Sequence, residues 1–178
     1  MNTFDNLYSS KSVREFNGGQ ISDQQLAEIL KAAEAAPVAM GSYEKYHITV
    51  VQDKSVLSAV SENAAKMFGS PDLDPLYGAP TLIVVSAQTD EDGQVSPFDV
   101  SSAAIVDYNM IIAAVELGLG NCPIWGAISA LKGAPDVTAK LGIPEGFAPC
   151  CAVALGTTDD SYAPRDIDMA KIGVNTVA

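Results

Sequence analysis

A short stretch near the start of the chain carries the densest group of side chains that could bind an anion. Residues 10–16 read Ser-Lys-Ser-Val-Arg-Glu-Phe and supply two hydroxyls and two cations. If the stretch is extended, Ser12 and Arg14 share one face, because side chains alternate along extended backbone. Hydroxyl and guanidinium donors suit a phosphate group. Taken alone, however, the stretch fits a solvated turn between two helices better.

The charge balance makes each cation in the chain informative. The sequence has 10 basic and 22 acidic residues, which gives a formal net charge of −12. Such a surface repels nucleic acid and anionic lipid, so we predict neither a nucleic-acid nor a membrane partner. The only arginines are Arg14 and Arg165. An anionic ligand must therefore be met by these two residues or by a few lysines.

Other common chemistries lack the residues they need. The single histidine, His47, favours a structural role, and one His with scattered cysteines cannot assemble a metal site. Three cysteines, two of them adjacent, cannot form a disulfide framework. Gly118 and Gly120 close a helix instead of opening one, so we interpret them as a helix C-cap and not as a dinucleotide fingerprint.

The length of 178 residues predicts a single domain over residues 1–178. No apolar run approaches the roughly 20 residues that span a bilayer. The first residues lack the basic and apolar regions of a signal peptide. Together with the cysteine usage, these features predict a cytoplasmic protein.

Hydrophobic periodicity and turn signals predict the elements that must position the anion-binding stretch. The fold class is α+β, with a central mixed sheet wrapped by helices. The predicted helices cover 3–9, the segment from a capping box at Ser22 to Pro37, 55–68 and 99–117, and the predicted strands cover 47–51, 81–85 and 150–155. Helix 99–117 is apolar almost all round, so it is buried either by its own subunit or by a partner.

An ordered set of motifs resembles the nitroreductase family from about Leu7 to Lys171. The motifs that carry the resemblance are residues 10–16, the segment 35–41 (Ala-Ala-Pro-Val-Ala-Met-Gly), the long helix with its Leu-Gly-Leu-Gly end at 117–120, the segment 123–126 (Pro-Ile-Trp-Gly), and the passages 141–147 and 153–156. The resemblance implies a nitroreductase-like fold in which the long helix is a buried dimer helix. It also implies a homodimer that binds FMN.

The resemblance implies a specific FMN site, part of which comes from the second subunit. The implied cofactor-binding residues are Ser10, Lys11, Ser12, Arg14, Pro37, Val38, Ala39, Gly41, Pro123, Ile124, Trp125, Gly126 and Arg165. In this arrangement Lys11, Ser12 and Arg165 contact the phosphate and ribityl chain, and Arg14 lies near N1 and O2 of the ring.

Two further segments complete the implied site. A loop at residues 123–126 offers backbone amides to the flavin N5. The second subunit supplies Pro37, Val38, Ala39 and Gly41, which approach the ring. Ser10 stands where the family usually has an arginine, which removes one phosphate cation. Val38 and Gly41 likewise replace polar positions that commonly hydrogen-bond the ring.

The resemblance implies a ping-pong oxidoreductase that uses NAD(P)H as electron donor and reduces a nitroaromatic, quinone or similar acceptor. No side-chain acid or base stands out in the sequence as catalytic. One alternative of a different class is a flavin-binding storage or sensing protein without turnover. Another, within the same fold, is reductive dehalogenation or reduction of an activated double bond.

Overall fold

The computed structural model describes residues 1–177 as helices packed on both faces of one four-stranded sheet. The helices are α1 (Thr3–Ser9), α2 (Asp23–Glu34), α3 (Lys54–Met67), α4 (Pro97–Glu116), α5 (Gly126–Leu131) and α6 (Pro135–Lys140). The strands are β1 (Tyr46–Val51), β2 (Thr81–Gln88), β3 (Gly120–Ile124) and β4 (Phe147–Gly156). Two short 3-10 segments, Ala39–Gly41 and Tyr43–Lys45, precede β1. The α+β class is confirmed.

The strands lie in the order β1-β2-β4-β3, and every pairing among the described residues is antiparallel. The expectation of a mixed sheet is corrected on this point. Whether two neighbouring strands are parallel or antiparallel depends on the end of the sheet at which the connecting segment starts the second strand. Hydrophobic periodicity carries no information about the path of that connection. The central pair, β2 and β4, is apolar and buried, as its sequence predicts.

The two faces of the sheet hold separate apolar clusters, because side chains alternate along each strand. Leu82 and Val84 of β2 face α3 and α5, whereas Ile83 and Val85 face α2 and α4. The long helix α4 therefore lies against one face of the sheet, with α2 packed beside it. Helix α4 also contacts the edge strand β3, along which the candidate site is built.

Helix termini follow the signals in the sequence. The capping box at α2 is present, with the Gln25 amide donating to Ser22 Oγ at 3.2 Å and the Ser22 amide donating to Gln25 Oε1 at 2.9 Å. Gly118 has a φ of 69° and ends α4, while the Leu119 amide donates to Ala114 O at 2.9 Å. Those features form a Schellman motif, so the interpretation of Gly118 as a helix cap is confirmed.

The long helix α4 is only half covered by its own chain. Phe98 is 77% exposed, and Val100, Ile105 and Tyr108 are also exposed large apolar side chains of this helix. Of the described helices, α4 alone has the length and apolar composition that a membrane-spanning helix needs. A core helix of a soluble protein passes the same test, and α4 packs against β2, β3 and β4.

Three elements were not predicted from the sequence: β3, α5 and α6. Strand β3 follows the helix cap directly and contains Pro123, which disfavours a strand in the middle of a sheet. It is tolerated because β3 is an edge strand, paired with β4 alone. Helices α5 and α6 have six residues each, too few to show a helical period.

Candidate functional site

A cavity of about 250 Å³ gathers several of the predicted site residues in one place. Its lining comes from the segment after α1, from α4 and from β3 with the residue that follows it. The lining residues are Ser10, Lys11, Ser12, Ala104, Asp107, Tyr108, Ile111, Asn121, Pro123 and Trp125. Five of them, Ser10, Lys11, Ser12, Pro123 and Trp125, are sequence-predicted.

The stretch at residues 10–16 is extended and is fixed to β3 through its middle residue. The Val13 amide donates to the Asn121 carbonyl at 2.7 Å, and the Val13 side chain is buried. Ser12 and Arg14 flank it and both act on the Cys122 thiol, Ser12 by a hydrogen bond and Arg14 by its charge. The prediction that these two residues share a face agrees with this arrangement.

Lys11 of the stretch and Arg165, which lies beside its first residue, already have partners. Lys11 Nζ lies 3.3 Å from Asp160 Oδ2 and 6.0 Å from the centre of the Tyr162 ring. Arg165 donates from Nε to Tyr8 O at 3.0 Å and from Nη2 to Ser10 O. It thus satisfies free carbonyls at the C-terminus of α1 and holds the start of the stretch in place.

Arg14 lies outside the cavity lining. Its guanidinium carbon is 5.8 Å from the centre of the Tyr77 ring, a distance at which a cation is attracted to an aromatic face. Burial raises the pKa of the nearby Cys122 thiol, while the charge of Arg14 and the hydrogen bond from Ser12 act in the opposite direction. This thiol is buried beside the cavity and is not among the lining residues.

Asp107, in the middle of α4, is a cavity residue that the sequence analysis missed. It is only 2% exposed, and desolvation raises its pKa to about 7. Its Oδ1 has no hydrogen-bond partner among residues 1–177. The available signal was a single charged residue inside an otherwise apolar stretch, because a charge there is costly unless it serves a purpose.

Asn121 of β3 is the second cavity residue that was missed. Its Nδ2 donates to the Tyr162 hydroxyl at 2.7 Å, and that hydroxyl donates to Leu119 O at 2.7 Å. Since Tyr162 uses its one proton on Leu119, it must accept from Asn121, which fixes the orientation of the amide. The Asn121 Oδ1 is buried and, within the described chain, has no partner. Burial raises the pKa of Tyr162 to about 12, so it stays protonated in this role.

Residues 123–126 do not form a loop, and this part of the prediction is corrected. Pro123 and Ile124 belong to β3, and Gly126 is the first residue of α5. Pro123 and Trp125 line the cavity, and the Trp125 side chain is 53% exposed, whereas Ile124 is buried in the core. Side-chain alternation along β3 explains the split.

The predicted residues Pro37, Val38, Ala39 and Gly41 lie elsewhere in the chain. They precede β1, and the Ala39 amide donates to Ser102 Oγ near the start of α4 at 3.0 Å. Met40 between them is 91% exposed and has a φ of 57°, a region that non-glycine residues seldom adopt. Within one chain this segment does not contribute to the cavity. Its assignment to the second subunit stays a prediction.

A larger cavity of about 450 Å³ lies between α3 and the segment before β2. Gly18, Lys54, Glu62 and Asp74 are among its lining residues, and none of the predicted site residues is. Size alone would favour this cavity. The grouping of cationic, hydroxyl and aromatic side chains favours the smaller one.

Comparison with known proteins decides the family. The model of the nitroreductase family matches residues 8–157. This chain belongs to the nitroreductase family. It is 34% identical over 159 residues to a relative from Archaeoglobus fulgidus, provisionally named an NADH dehydrogenase/NAD(P)H nitroreductase, with 86% of this chain and 84% of that protein covered.

Solved nitroreductase structures share the fold of this family member. The structure of a nitroreductase with bound FMN from Desulfitobacterium hafniense matches with a TM-score of 0.80, 26% identity and 96% of each chain covered. A second nitroreductase with bound FMN, from Bacteroides fragilis, matches with a TM-score of 0.78 and 26% identity, over 96% of this chain and 97% of that one.

The cavity of this nitroreductase-family chain fits part of an FMN molecule. Lys11, Ser10 and Ser12 supply donors for a phosphate, and Trp125 supplies an aromatic face. The buried acceptor oxygens of Asp107 and Asn121 suit hydroxyl groups. A volume of about 250 Å³ lies below the ~300–1,000 Å³ that ligand pockets usually have, so one chain encloses only part of such a ligand.

Proposed function

We propose that this protein is an FMN-dependent NAD(P)H oxidoreductase that reduces nitroaromatic, quinone or similar acceptors. The observation that carries the proposal is the cavity in which Lys11 and Ser12 meet Pro123 and Trp125 against α4, in a chain of the nitroreductase family. Bound FMN would supply the redox chemistry, taking a hydride from NAD(P)H and passing two electrons to the acceptor. The protein binds, orients and shields the flavin.

The phosphate end of the flavin would be held by Ser10, Lys11 and Ser12, with Arg165 beside them. Lys11 is paired with Asp160 at a partly exposed site, and such pairs contribute at most about 1 kcal/mol, so a phosphate can replace the carboxylate at little cost. Arg165 uses two of its five N–H donors on Tyr8 and Ser10, which leaves others for a phosphate oxygen.

The ring end would lie along Pro123 and Trp125. The amides of Trp125 and Gly126 open helix α5, where N–H groups have no partner within the helix, and they are the proposed donors to the ring. Arg14, held over Tyr77, would place its charge near the electron-rich carbonyl edge of the pyrimidine.

We also propose that the working form is a homodimer that buries the exposed apolar face of α4. Tyr108 belongs both to this face and to the cavity lining, so a partner covering the face would also close the cavity. The segment 37–41, with its exposed Met40, is then available to approach the partner's flavin. The net charge of −12 supports a soluble cytoplasmic protein that binds neither nucleic acid nor anionic membrane.

An anaerobic titration tests the proposed activity. Protein saturated with FMN is mixed with NADH or NADPH, and the flavin absorbance near 450 nm, roughly the usual oxidised-flavin band, is followed. We expect bleaching with at least one nicotinamide and recovery of the colour when a nitroaromatic or quinone is added. Flavin that binds but stays oxidised with both nicotinamides would contradict the enzyme and support a storage or sensing protein.

A further inference from the structure

Asp107 is the one acidic side chain of α4 between Asp99 and Glu116. The helix presses it against the sheet, where it is 2% exposed and lines the cavity. Asp99, by comparison, receives hydrogen bonds from Tyr46 at 2.7 Å and from Ser96 at 2.7 Å. Asp107 has no such support, so its burial is not explained by the contacts of the fold.

Two acceptor oxygens beside the cavity lack donors. Asp107 Oδ1 and Asn121 Oδ1 are both buried, and neither has a hydrogen-bond partner within residues 1–177. Leaving a buried polar group unsatisfied costs about 1–3 kcal/mol, and native proteins seldom keep two in one place without a purpose. Because both side chains line the same cavity, a ligand with hydroxyl or N–H donors would satisfy them together.

The neighbours of Asp107 do not supply those donors. The Cys151 thiol of β4 lies close enough that the charge of Asp107 helps to raise the pKa of this thiol, and a thiol is only a weak donor. Lys11 lies on the cavity wall with its ammonium paired to Asp160. Tyr108, the next residue of α4, is half exposed at the cavity mouth.

We propose that Asp107, together with Asn121, is the polyol-binding part of the flavin site, where the two side chains accept hydrogen bonds from ribityl hydroxyls. This inference rests on the proposed function. A phosphate and the flavin carbonyls are themselves acceptors, so they do not match these oxygens. The ring N3–H is a donor, but it lies at the pyrimidine edge near Arg14, which is outside this cavity.

The position of Asn121 within the site agrees with this assignment. Its backbone carbonyl accepts from Val13, so it lies directly beside Ser12 and next to the proposed phosphate-binding residues. Pro123, two residues further along β3, marks the ring end. The chain of hydroxyls connects phosphate and ring in FMN, and Asn121 lies between the residues proposed for those two ends, in a cavity that Asp107 also lines.

Flavins with and without the polyol chain test the proposal. Riboflavin carries the ribityl chain without the phosphate, and lumiflavin carries only a methyl group in its place. The dissociation constants of both are measured by fluorescence titration for the wild-type protein and for Asp107→Leu, Asp107→Asn and Glu116→Gln. Glu116 is the matched control, since it is a carboxylate of α4 that lies outside the cavity.

We expect the wild-type protein to prefer riboflavin to lumiflavin, and Asp107→Leu to lower that preference by about tenfold, the usual effect of losing a hydrogen bond to a charged group. Asp107→Asn keeps one acceptor oxygen and should retain most of the preference, as should Glu116→Gln. Leucine is close in size and suits the apolar surroundings, so this variant should fold. Asp107→Ala gives the same readout if leucine is not accommodated.

An unchanged preference in Asp107→Leu, or an equal loss of binding for both flavins, would overturn the polyol assignment while the proposed function stands. A wild-type protein that binds FMN yet does not prefer riboflavin to lumiflavin would overturn it too. A wild-type protein that takes up none of the three flavins would instead contradict the proposed function, so the two failures are distinguishable.

Discussion

Asp107 sets a pH dependence that belongs to a single residue. Its pKa of about 7 in the folded protein lies far above the value of an aspartate in an unfolded chain, about 3.9. Between these values the folded state binds more protons than the unfolded state, so the free energy of unfolding falls as the pH rises through this window. Well below the unfolded-state pKa the carboxyl is protonated in both states, and its contribution to the free energy of unfolding no longer changes with pH.

We predict that wild-type apoprotein loses roughly 2–3 kcal/mol of stability relative to Asp107→Asn between pH 5 and pH 8. The measurement is urea unfolding of both apoproteins at the two pH values. Asp53, Asp99 and Glu116 have lowered pKa values and act in the opposite direction, but they are present in both proteins and cancel. A stability difference that does not change with pH would show that Asp107 is ionised normally in the folded protein.

Some residues of the candidate site could be predicted from the sequence and others could not, for a physical reason. Lys11, Ser12 and Pro123 belong to continuous motifs, and the structure brings them together at one cavity. Asp107 and Asn121 have significance only through their burial and missing partners, which arise from the packing of α4 against β3. Such properties depend on contacts between distant segments, so local patterns do not show them.

At the scale of the elements, one close approach seats the anion-binding stretch on the sheet. Phe16 packs over two paired glycines, Gly120 at the start of β3 and Gly156 at the end of β4. A Cβ added at Gly156 would lie 2.6 Å from Pro80 Cδ and 3.0 Å from Phe16 Cδ1. The proline ring is rigid, so the clash cannot be relieved by a change of rotamer.

We predict that Gly156→Ala lowers the free energy of unfolding by about 1–3 kcal/mol and also weakens FMN binding, because the stretch at 10–16 must shift. Urea unfolding and FMN titration measure the two effects. Gly133→Ala is the control, since nothing lies within 4 Å of its added Cβ. Equal stability of the two variants would contradict the packing role of Phe16.

Sequence patterns predicted the elements whose apolar periodicity extends over many residues or whose ends carry capping signals. Helix α2 begins after the capping box residue Ser22, and Gly118 caps the C-terminus of α4, both as expected. Strand β3 was not predicted because its five residues follow a helix cap and include a proline. An edge position makes that proline acceptable, and edge positions are a property of the whole sheet.

At the scale of the whole molecule, the exposed face of α4 carries the proposal of a homodimer. Ile105 is an exposed apolar residue of this face and does not line the cavity. We predict that Ile105→Glu produces monomers and lowers FMN affinity at least about tenfold, since a buried unpaired charge costs several kcal/mol. Sedimentation velocity gives the oligomeric state, and fluorescence titration gives the affinity.

Leu73→Glu is the matched control, because Leu73 is an exposed apolar residue outside α4. It should leave both the oligomeric state and FMN affinity unchanged. A wild-type protein that sediments as a monomer would contradict the composite site, as would an Ile105→Glu variant that remains a dimer.

The proposed function depends most on FMN binding in the cavity between the 10–16 stretch, α4 and β3. Titration of the apoprotein with FMN, followed by quenching of flavin fluorescence, tests it most directly. We predict saturation at one FMN per chain, with riboflavin bound at least about tenfold more weakly because it lacks the phosphate that Lys11 and Ser12 bind. Absence of saturable FMN uptake, or equal affinity for FMN and riboflavin, would contradict the account.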